Sequence, residues 1–179
     1  MMDKEEQAVV IDYLPYGYPL EKKMMPIAQA IGKKNLTLLE LVPRRGLKLE
    51  VGEEVYIGEG KRDKVYYILG KLPFSKISEN AKTFLQGYIE KQVTDDPKRF
   101  VDFFNNALPI NTRLHQLELI PGFGKKHTQA IMEEREKKPF ESLEDLKNRI
   151  SNLPDPKTAI VKRITEELKG EERHLLFIN

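Results

Sequence analysis

The stretch IPGFGK at residues 120–125 is a glycine-rich break in the helical periodicity of this chain. It separates two runs of helical periodicity, and the second run starts at Lys125 and continues to about residue 137. Gly122 and Gly124 permit a tight turn, and the first N–H groups of the following helix have no intrahelical acceptors. Because the helix dipole adds partial positive charge at the same place, the sequence predicts a seat for a phosphate group.

Two lysines directly follow this turn. Lys125 and Lys126 fall in the first turn of the helix, where their positive charge opposes the dipole and lowers helix stability. A docked anion would relieve that conflict, which favours the phosphate interpretation. The alternative is a glycine-rich corner between two helices that carries two solvated lysines.

The segment downstream of the turn repeats its layout. Pro139 ends the second helix, and Ser142 with Asp145 forms a cap for a third helix. A fourth helix begins within LPDPK at residues 153–157, which occupies the place of a second turn but lacks both glycines. We therefore expect a structural mate of the first turn, with Lys157 at most a supporting contact.

Upstream, the sequence contains five short β-rich runs separated by glycine and proline. They cover residues 8–14, 26–31, 36–42, 54–57 and 65–72. Short strands must protect their edges, which favours a closed or partly closed barrel of the OB or SH3-like kind, with OB preferred. The alternative is an open five-stranded sheet packed on the following helix.

Two helices are predicted between the strands and the turn. Helical periodicity starts at Ser78, and a second helix opens at Asp96-Pro97 with the aspartate as its cap. Aromatic residues are dense at 100–104, a spacing typical of core packing and not of a base-stacking surface. The predicted fold class is α+β, with an OB-like five-stranded β-barrel at residues 1–74, connecting helices at 75–108 and a helical domain at 109–179.

The residues around the turn closely resemble the helix-hairpin-helix motif of DNA- and RNA-binding proteins that do not read sequence. The match runs from Leu117 through the turn to Ile131 and the following PF-x-S pattern, about 35 residues in all. Thr128 stands where that family usually has alanine. The resemblance implies phosphate contacts from the backbone amides of Gly122 and Gly124, with the two lysines beside them.

The chain as a whole resembles an uncharacterised archaeal family, a domain of unknown function that pairs an N-terminal OB-like barrel with a C-terminal helix-hairpin-helix domain. The residues that carry this resemblance lie at 12–17, 38–41, 55–58, 100–105 and 114–122. It implies a nucleic-acid-binding protein with RNA or translation-linked roles.

Two basic turns, at residues 44–48 and 61–64, predict a second contact surface on the barrel. Nearby strands carry three tyrosines, Tyr56, Tyr66 and Tyr67. OB-like barrels bind single strands through such combinations, although basic turns also keep sheet edges soluble. The candidate nucleic-acid-binding residues are Gly122, Phe123, Gly124, Lys125, Lys126, Arg44, Arg45, Lys48, Lys61 and Arg62.

Composition and motifs disfavour several other classes. Thirty Lys and Arg against 28 Asp and Glu leave a net charge of +2, so any basic surface must be local. With no cysteine and three scattered histidines, we expect no metal site and no cofactor. No nucleotide-binding or nucleophile motif is present, so we expect no enzyme. Without a signal peptide or an apolar run of about 20 residues, we expect a cytoplasmic protein with no membrane partner.

These observations predict a protein that grips the phosphate backbone of RNA or of a single strand, with the ribosome or another protein as a further partner. One alternative is a protein-interaction module whose hairpin is vestigial and whose apolar tail at residues 175–178 docks a partner. The other is a base-excision DNA-repair enzyme, disfavoured because only about 50 residues follow the hairpin.

Overall fold

A computed structural model describes residues 4–178 of the 179-residue chain. The strands are β1 (Gln7–Leu14), β2 (Ile27–Gly32), β3 (Leu38–Pro43), β4 (Glu54–Tyr56) and β5 (Val65–Lys71). The α-helices are α1 (Glu79–Asp95), α2 (Pro97–Asn106), α3 (Lys125–Lys137), α4 (Leu143–Arg149) and α5 (Pro156–Leu168). Short 3-10 helices lie at Phe74–Lys76 and Gln116–Leu119. The predicted α+β class is confirmed.

The described chain divides into two compact units. The sheet unit comprises the residues up to Gln86 together with those from Glu167 onward. The helical unit comprises Gly87–Glu166.

The sheet unit contains one antiparallel sheet with the strand order β4-β1-β2-β3-β5. The sheet curls into a half-barrel, and β4 and β5 are its outer strands. Its apolar cluster consists of Ala8, Val10, Ala28, Ala30, Leu39, Leu41, Leu49, Val55, Ile57 and Val65. The five predicted strands are confirmed close to their expected positions.

A register shift in β5 places one tyrosine at the surface. Val42 pairs with Tyr67 and Pro43 with Val65, so Tyr66 has no residue opposite it on β3. A bulge of this kind bends the strand and redirects the side chain of the extra residue. The side chain of Tyr66 is accordingly 64% exposed.

In the helical unit, the dense aromatic segment of α2 packs as predicted. Phe100, Val101 and Phe104 are buried, which removes them as base-stacking surfaces. The predicted side-chain cap at Asp96 is wrong, because its carboxylate makes no capping hydrogen bond and its ψ of 62° lies outside the extended region typical of a cap. Pro97 alone provides the helix-start signal there.

The helical run before the turn is shorter than its periodicity predicts. It is a single 3-10 turn, capped where the Nδ1 atom of His115 accepts a hydrogen bond from the Leu117 N–H at 3.1 Å. Pro109 and His115 instead form an isolated antiparallel bridge. The predicted cap of α4 is confirmed, since the Ser142 hydroxyl accepts from the Asp145 N–H at 2.9 Å. Within residues 4–178, no helix is long and apolar enough to cross a membrane.

Candidate functional site

The turn before α3 needs a glycine at its first position. Gly122 has a φ of +83°, and a Cβ atom there would lie 3.0 Å from Cγ of Pro154. Left-handed backbone and a close neighbour both exclude larger side chains. Because Pro154 belongs to the predicted second turn, the two turns of the helical unit are in contact.

The second glycine leaves the start of α3 open. Gly124 is the N-cap residue with a φ of −102°, and a Cβ atom there would have no neighbour within 4 Å. The N–H groups of Lys125 and Lys126 belong to the first turn of α3 and have no intrahelical acceptors. We call Gly124, Lys125 and Lys126 the open end of α3.

The two lysines of the open end differ in their surroundings. The Nζ atom of Lys125 lies 3.8 Å from a carboxylate oxygen of Glu118 and 3.4 Å from the carbonyl oxygen of Arg113. Its side chain is still 80% exposed, so this pairing is weak and easily exchanged. Lys126 is exposed and has no ion pair within the described part of the chain. Both ammonium groups can therefore reach an anion at the helix start.

His127 links the open end of α3 to the second turn. Its Nδ1 atom accepts a hydrogen bond from the Gly124 N–H at 3.2 Å, and its Nε2 atom lies 3.1 Å from the carbonyl oxygen of Asn152. This pairing selects the tautomer that carries its proton on Nε2. An anion that uses the Gly124 N–H must therefore displace His127.

Phe123 lies in the turn but not at the surface. Its side chain is buried, and its ring centroid lies 5.9 Å from that of Phe104. The side chain therefore packs the helical unit, and only the backbone of Phe123 is placed near the open end of α3.

The second turn ends in a different helix start. At α5, the Asp155 carboxylate accepts hydrogen bonds from the Thr158 N–H at 3.1 Å and from the Thr158 hydroxyl at 2.7 Å. The hydrogen bonds from Thr158 lower the pKa of Asp155. A carboxylate of the chain itself thus occupies the position that an anion would take, and Lys157 lies exposed beside it.

Three of the predicted basic residues of the sheet unit meet in one groove. Arg44, Arg45 and Lys48 line a groove of about 680 Å³ together with Tyr13 and Tyr66. We call these five residues the Tyr66 groove. No carboxylate lines this groove in the described part of the chain.

The other basic turn faces elsewhere, although its backbone touches the first. Arg44 donates from its backbone N–H to the carbonyl oxygen of Lys64 at 2.9 Å and from Nε to that of Arg62 at 2.6 Å. The Arg62 side chain donates to the Gly58 carbonyl and lines a separate groove. Lys61 is exposed at the tip of the turn. The Tyr66 groove thus brings together Arg44, Arg45 and Lys48 but neither Lys61 nor Arg62.

A buried polar row crosses the centre of the sheet and was not predicted. Asp12 pairs with Gln29, and Gln29 pairs with Glu40, so the three side chains lie side by side on β1, β2 and β3. Ser78 donates to Asp12, and the Tyr18 hydroxyl donates to Glu40 at 3.1 Å.

Hydrogen bonds join the side chains of this row to residues outside the three strands. Burial, opposed by the hydrogen bond from Gln29 and assisted by the charge of Glu40, raises the pKa of Tyr18 to about 12. The Gln29 amide also donates to the carbonyl oxygen of Lys76 at 2.8 Å. The row therefore anchors the loop after β1 and the start of α1. The sequence signal for the row is a single polar residue within each of three apolar runs, namely Asp12, Gln29 and Glu40.

The apolar tail is bound by its own chain. One carboxylate oxygen of Glu167 accepts hydrogen bonds from the N–H groups of Leu176 and Phe177, each at 2.9 Å, and Phe177 is buried.

Among residues 4–178, no group of three His, Asp or Glu side chains is placed to hold a metal ion.

Comparison with known proteins identifies the family. A family model described as a protein of unknown function, DUF655, matches residues 4–179. The chain belongs to the DUF655 family. It is 42% identical over 176 residues to the uncharacterized protein MJ0038 of Methanocaldococcus jannaschii. The aligned region covers 97% of this chain and 80% of that relative.

A solved structure extends the DUF655 assignment to three dimensions. The crystal structure of Af1531 from Archaeoglobus fulgidus, described as family-model DUF655, superimposes with a TM-score of 0.82 at 44% identity. The match covers 98% of this chain and 100% of that one. The predicted membership of an uncharacterised archaeal family is confirmed.

Proposed function

We propose that this DUF655 protein binds nucleic acid by its phosphate backbone, without reading base sequence. The proposal includes the helix-hairpin-helix character of residues 120–125 and the OB-like character of the sheet. One observation carries it: α3 starts at a glycine with open space before it and two exposed lysines beside it. A helix start of this kind favours an anion through its free N–H groups and its dipole.

The chemistry of the open end of α3 fits a backbone phosphate. A phosphate diester carries one charge and accepts hydrogen bonds, which the N–H groups and ammonium groups of Lys125 and Lys126 can supply. Contacts of this kind position a nucleic acid but carry no sequence information. RNA and DNA both present such phosphates, and the translation-linked role and ribosomal partner remain part of the proposal. It assigns binding and no catalysis.

The alternative of a tail that docks a protein partner has less support. Phe177, the largest apolar side chain of that tail, is buried in the sheet unit. Glu167 already accepts hydrogen bonds from the adjacent tail N–H groups. Recruitment of a partner would have to break these contacts, whereas Lys125 and Lys126 at the open end of α3 are already exposed.

The test is fluorescence anisotropy with labelled single- and double-stranded oligonucleotides across a salt series. We expect Lys125→Glu with Lys126→Glu to weaken binding by about tenfold or more and to lower the salt slope by about one to two, since each neutralised phosphate contributes close to one. The matched control is Lys157→Glu with Lys162→Glu, which makes the same charge change on two exposed lysines of α5.

The control separates a local contact from a general effect of charge. Because Asp155 occupies the start of α5, the α5 pair should change affinity much less than the α3 pair. Equal losses from both pairs would replace the proposed site with diffuse electrostatic attraction. Wild-type protein that binds no oligonucleotide at low salt would overturn the proposed function.

A further inference from the structure

We infer that the Tyr66 groove binds an unpaired base of a nucleic-acid strand, with the base stacked on the Tyr66 ring and the adjoining phosphates held by Arg44, Arg45 and Lys48. This rests on the proposed function and deepens it, because it names single-stranded nucleic acid as the preferred ligand of the sheet unit. Three observations lead to it.

The first observation is the position of the ring. Tyr66 is the extra residue of a bulge on the outer strand β5, and its side chain is 64% exposed. Its ring meets that of Tyr67 edge to face, with 5.3 Å between centroids. Edge-to-face contact fixes the Tyr66 ring while leaving the ring area exposed to solvent. A fixed, exposed aromatic ring is a stacking platform, and every base has a face that can occupy it.

The second observation is charge. Arg44, Arg45 and Lys48 line the groove, and no acidic side chain of the described residues does so. The larger groove at Lys33 and Lys71 differs, because glutamates lie among its lysines. A polyanion is therefore complementary to the Tyr66 groove, and an unpaired strand is the polyanion that also supplies a flat apolar face.

The third observation is that one of the three cations is held in place while the other two carry charges that are unpaired among the described residues. Arg44 donates from Nε to the Arg62 carbonyl and from its backbone N–H to the Lys64 carbonyl. These bonds join the β3–β4 and β4–β5 connections and orient the Arg44 guanidinium before any ligand arrives. Arg45 and Lys48 form no ion pair with a described residue, so their charges are available for phosphates.

A duplex cannot use this groove in the same way. Paired bases are stacked on their neighbours, so their faces are not available to a tyrosine ring without unstacking. The groove therefore discriminates single from double strands, whereas the open end of α3 accepts a phosphate from either.

The experiment uses the absence of tryptophan from this chain. In the full-length protein, Tyr66→Trp introduces a single indole in the groove, and Tyr16→Trp places one on another exposed tyrosine of the sheet unit, 70% exposed. We expect a single-stranded 12-mer of uridine or thymidine to quench the indole at position 66 strongly and that at position 16 little. A duplex of equal length should quench neither.

Affinity measurements complete the test. We expect Tyr66→Ala to weaken binding of the single-stranded 12-mer about tenfold and to leave duplex affinity unchanged, because one stacked base is lost. Tyr66→Phe keeps the ring and should retain wild-type affinity, and Tyr16→Ala should do the same.

The outcomes separate this inference from the proposed function. If the wild type binds duplex but the single strand neither quenches the position-66 indole nor responds to Tyr66→Ala, the Tyr66 groove is not a base site and the open end of α3 is unaffected. Equal losses for both strand types on Tyr66→Ala would also overturn base stacking. If no nucleic acid binds, both proposals are wrong.

Discussion

The turns before α3 and α5 differ in what stands at the start of the helix. At α3 the N-cap is Gly124, with no side chain, and two lysines follow it. At α5 the N-cap position is filled by Asp155, whose carboxylate accepts two hydrogen bonds from Thr158. The two turns touch at Gly122 and Pro154, but they place opposite charges at the positive end of the helix dipole: lysines at α3 and a carboxylate at α5. At the start of α5 the Thr158 N–H meets a carboxylate of the chain itself, whereas α3 starts without a hydrogen bond to a side chain of its N-cap residue.

The largest expected effect on stability comes from a substitution that disturbs the contact between the two turns. Gly122→Ala should lower the free energy of unfolding by about 2 kcal/mol, because alanine is strained at a φ of +83° and its Cβ would press on Pro154. Urea denaturation measures it. Gly124→Ala is the matched control and should lower stability by less, since its Cβ meets open space and only the preference of the N-cap position for glycine over alanine is lost. Similar losses for both variants would contradict this account of the turn.

The next effect converts the α3 start into a copy of the α5 start. Gly124→Asp places a carboxylate at the N-cap, which should slightly stabilise α3 and weaken nucleic-acid binding about tenfold, or about 1.4 kcal/mol. Thermal unfolding and anisotropy measure the two quantities. Gly124→Asn supplies a neutral cap and should lose less affinity. A Gly124→Asp variant with wild-type affinity would show that no phosphate approaches this helix start.

Removal of the carboxylate at α5 should affect stability alone. Asp155→Ala is expected to lower the free energy of unfolding by about 1 kcal/mol at neutral pH, with unchanged affinity, because a helix cap is lost. Thr158 holds the pKa of Asp155 below its ordinary 3.8 in the folded state. The contribution of the Asp155 carboxylate to stability is therefore fully present above pH 3.8. It is lost as the pH falls through the lowered pKa of Asp155 in the folded state.

Denaturation curves from pH 7 to pH 2 check this prediction. The difference between wild type and Asp155→Ala should shrink at the acidic end, while Asp155→Asn should keep a cap that does not titrate. A difference that stays constant down to pH 2 would mean that the carboxylate charge plays no part.

The smallest effect concerns the link between the turns. His127→Ala removes the acceptor for the Gly124 N–H and the donor to Asn152. We expect a loss of about 0.5 kcal/mol in stability, near the lower limit for a net hydrogen bond. Affinity for nucleic acid should not fall, since His127 competes for the N–H that a phosphate would use. A clear loss of affinity would make His127 a ligand contact instead.

Local patterns predicted the elements but not how distant residues combine. The strands, the start of α3 at Lys125 and the cap at Ser142 follow from periodicity, glycine and capping chemistry. The α-helix expected before the turn is a single 3-10 turn at Gln116–Leu119, since an apolar spacing of three residues is compatible with a 3-10 turn as well as with an α-helix. Residue types within a few positions decide such features.

Contacts between residues that are distant in the sequence were not predicted. His127 meets Asn152 because two turns pack together, and the row of Asp12, Gln29 and Glu40 depends on strand register. The position of Tyr66 also depends on register, because it is the extra residue where β5 shifts between its pairs with Val42 and Pro43. Such contacts become visible only after the strands and turns are placed.

The His127 bond has a consequence for the heat of binding. Because the imidazole already accepts from the Gly124 N–H at 3.2 Å, a phosphate oxygen that arrives there exchanges one acceptor for another. In the proposed complex this exchange should yield little net enthalpy, so most of the binding free energy at this position should come from counterions that Lys125 and Lys126 displace from the phosphates. Calorimetry at the open end of α3 should record an association that is driven by entropy and weakens steeply with salt.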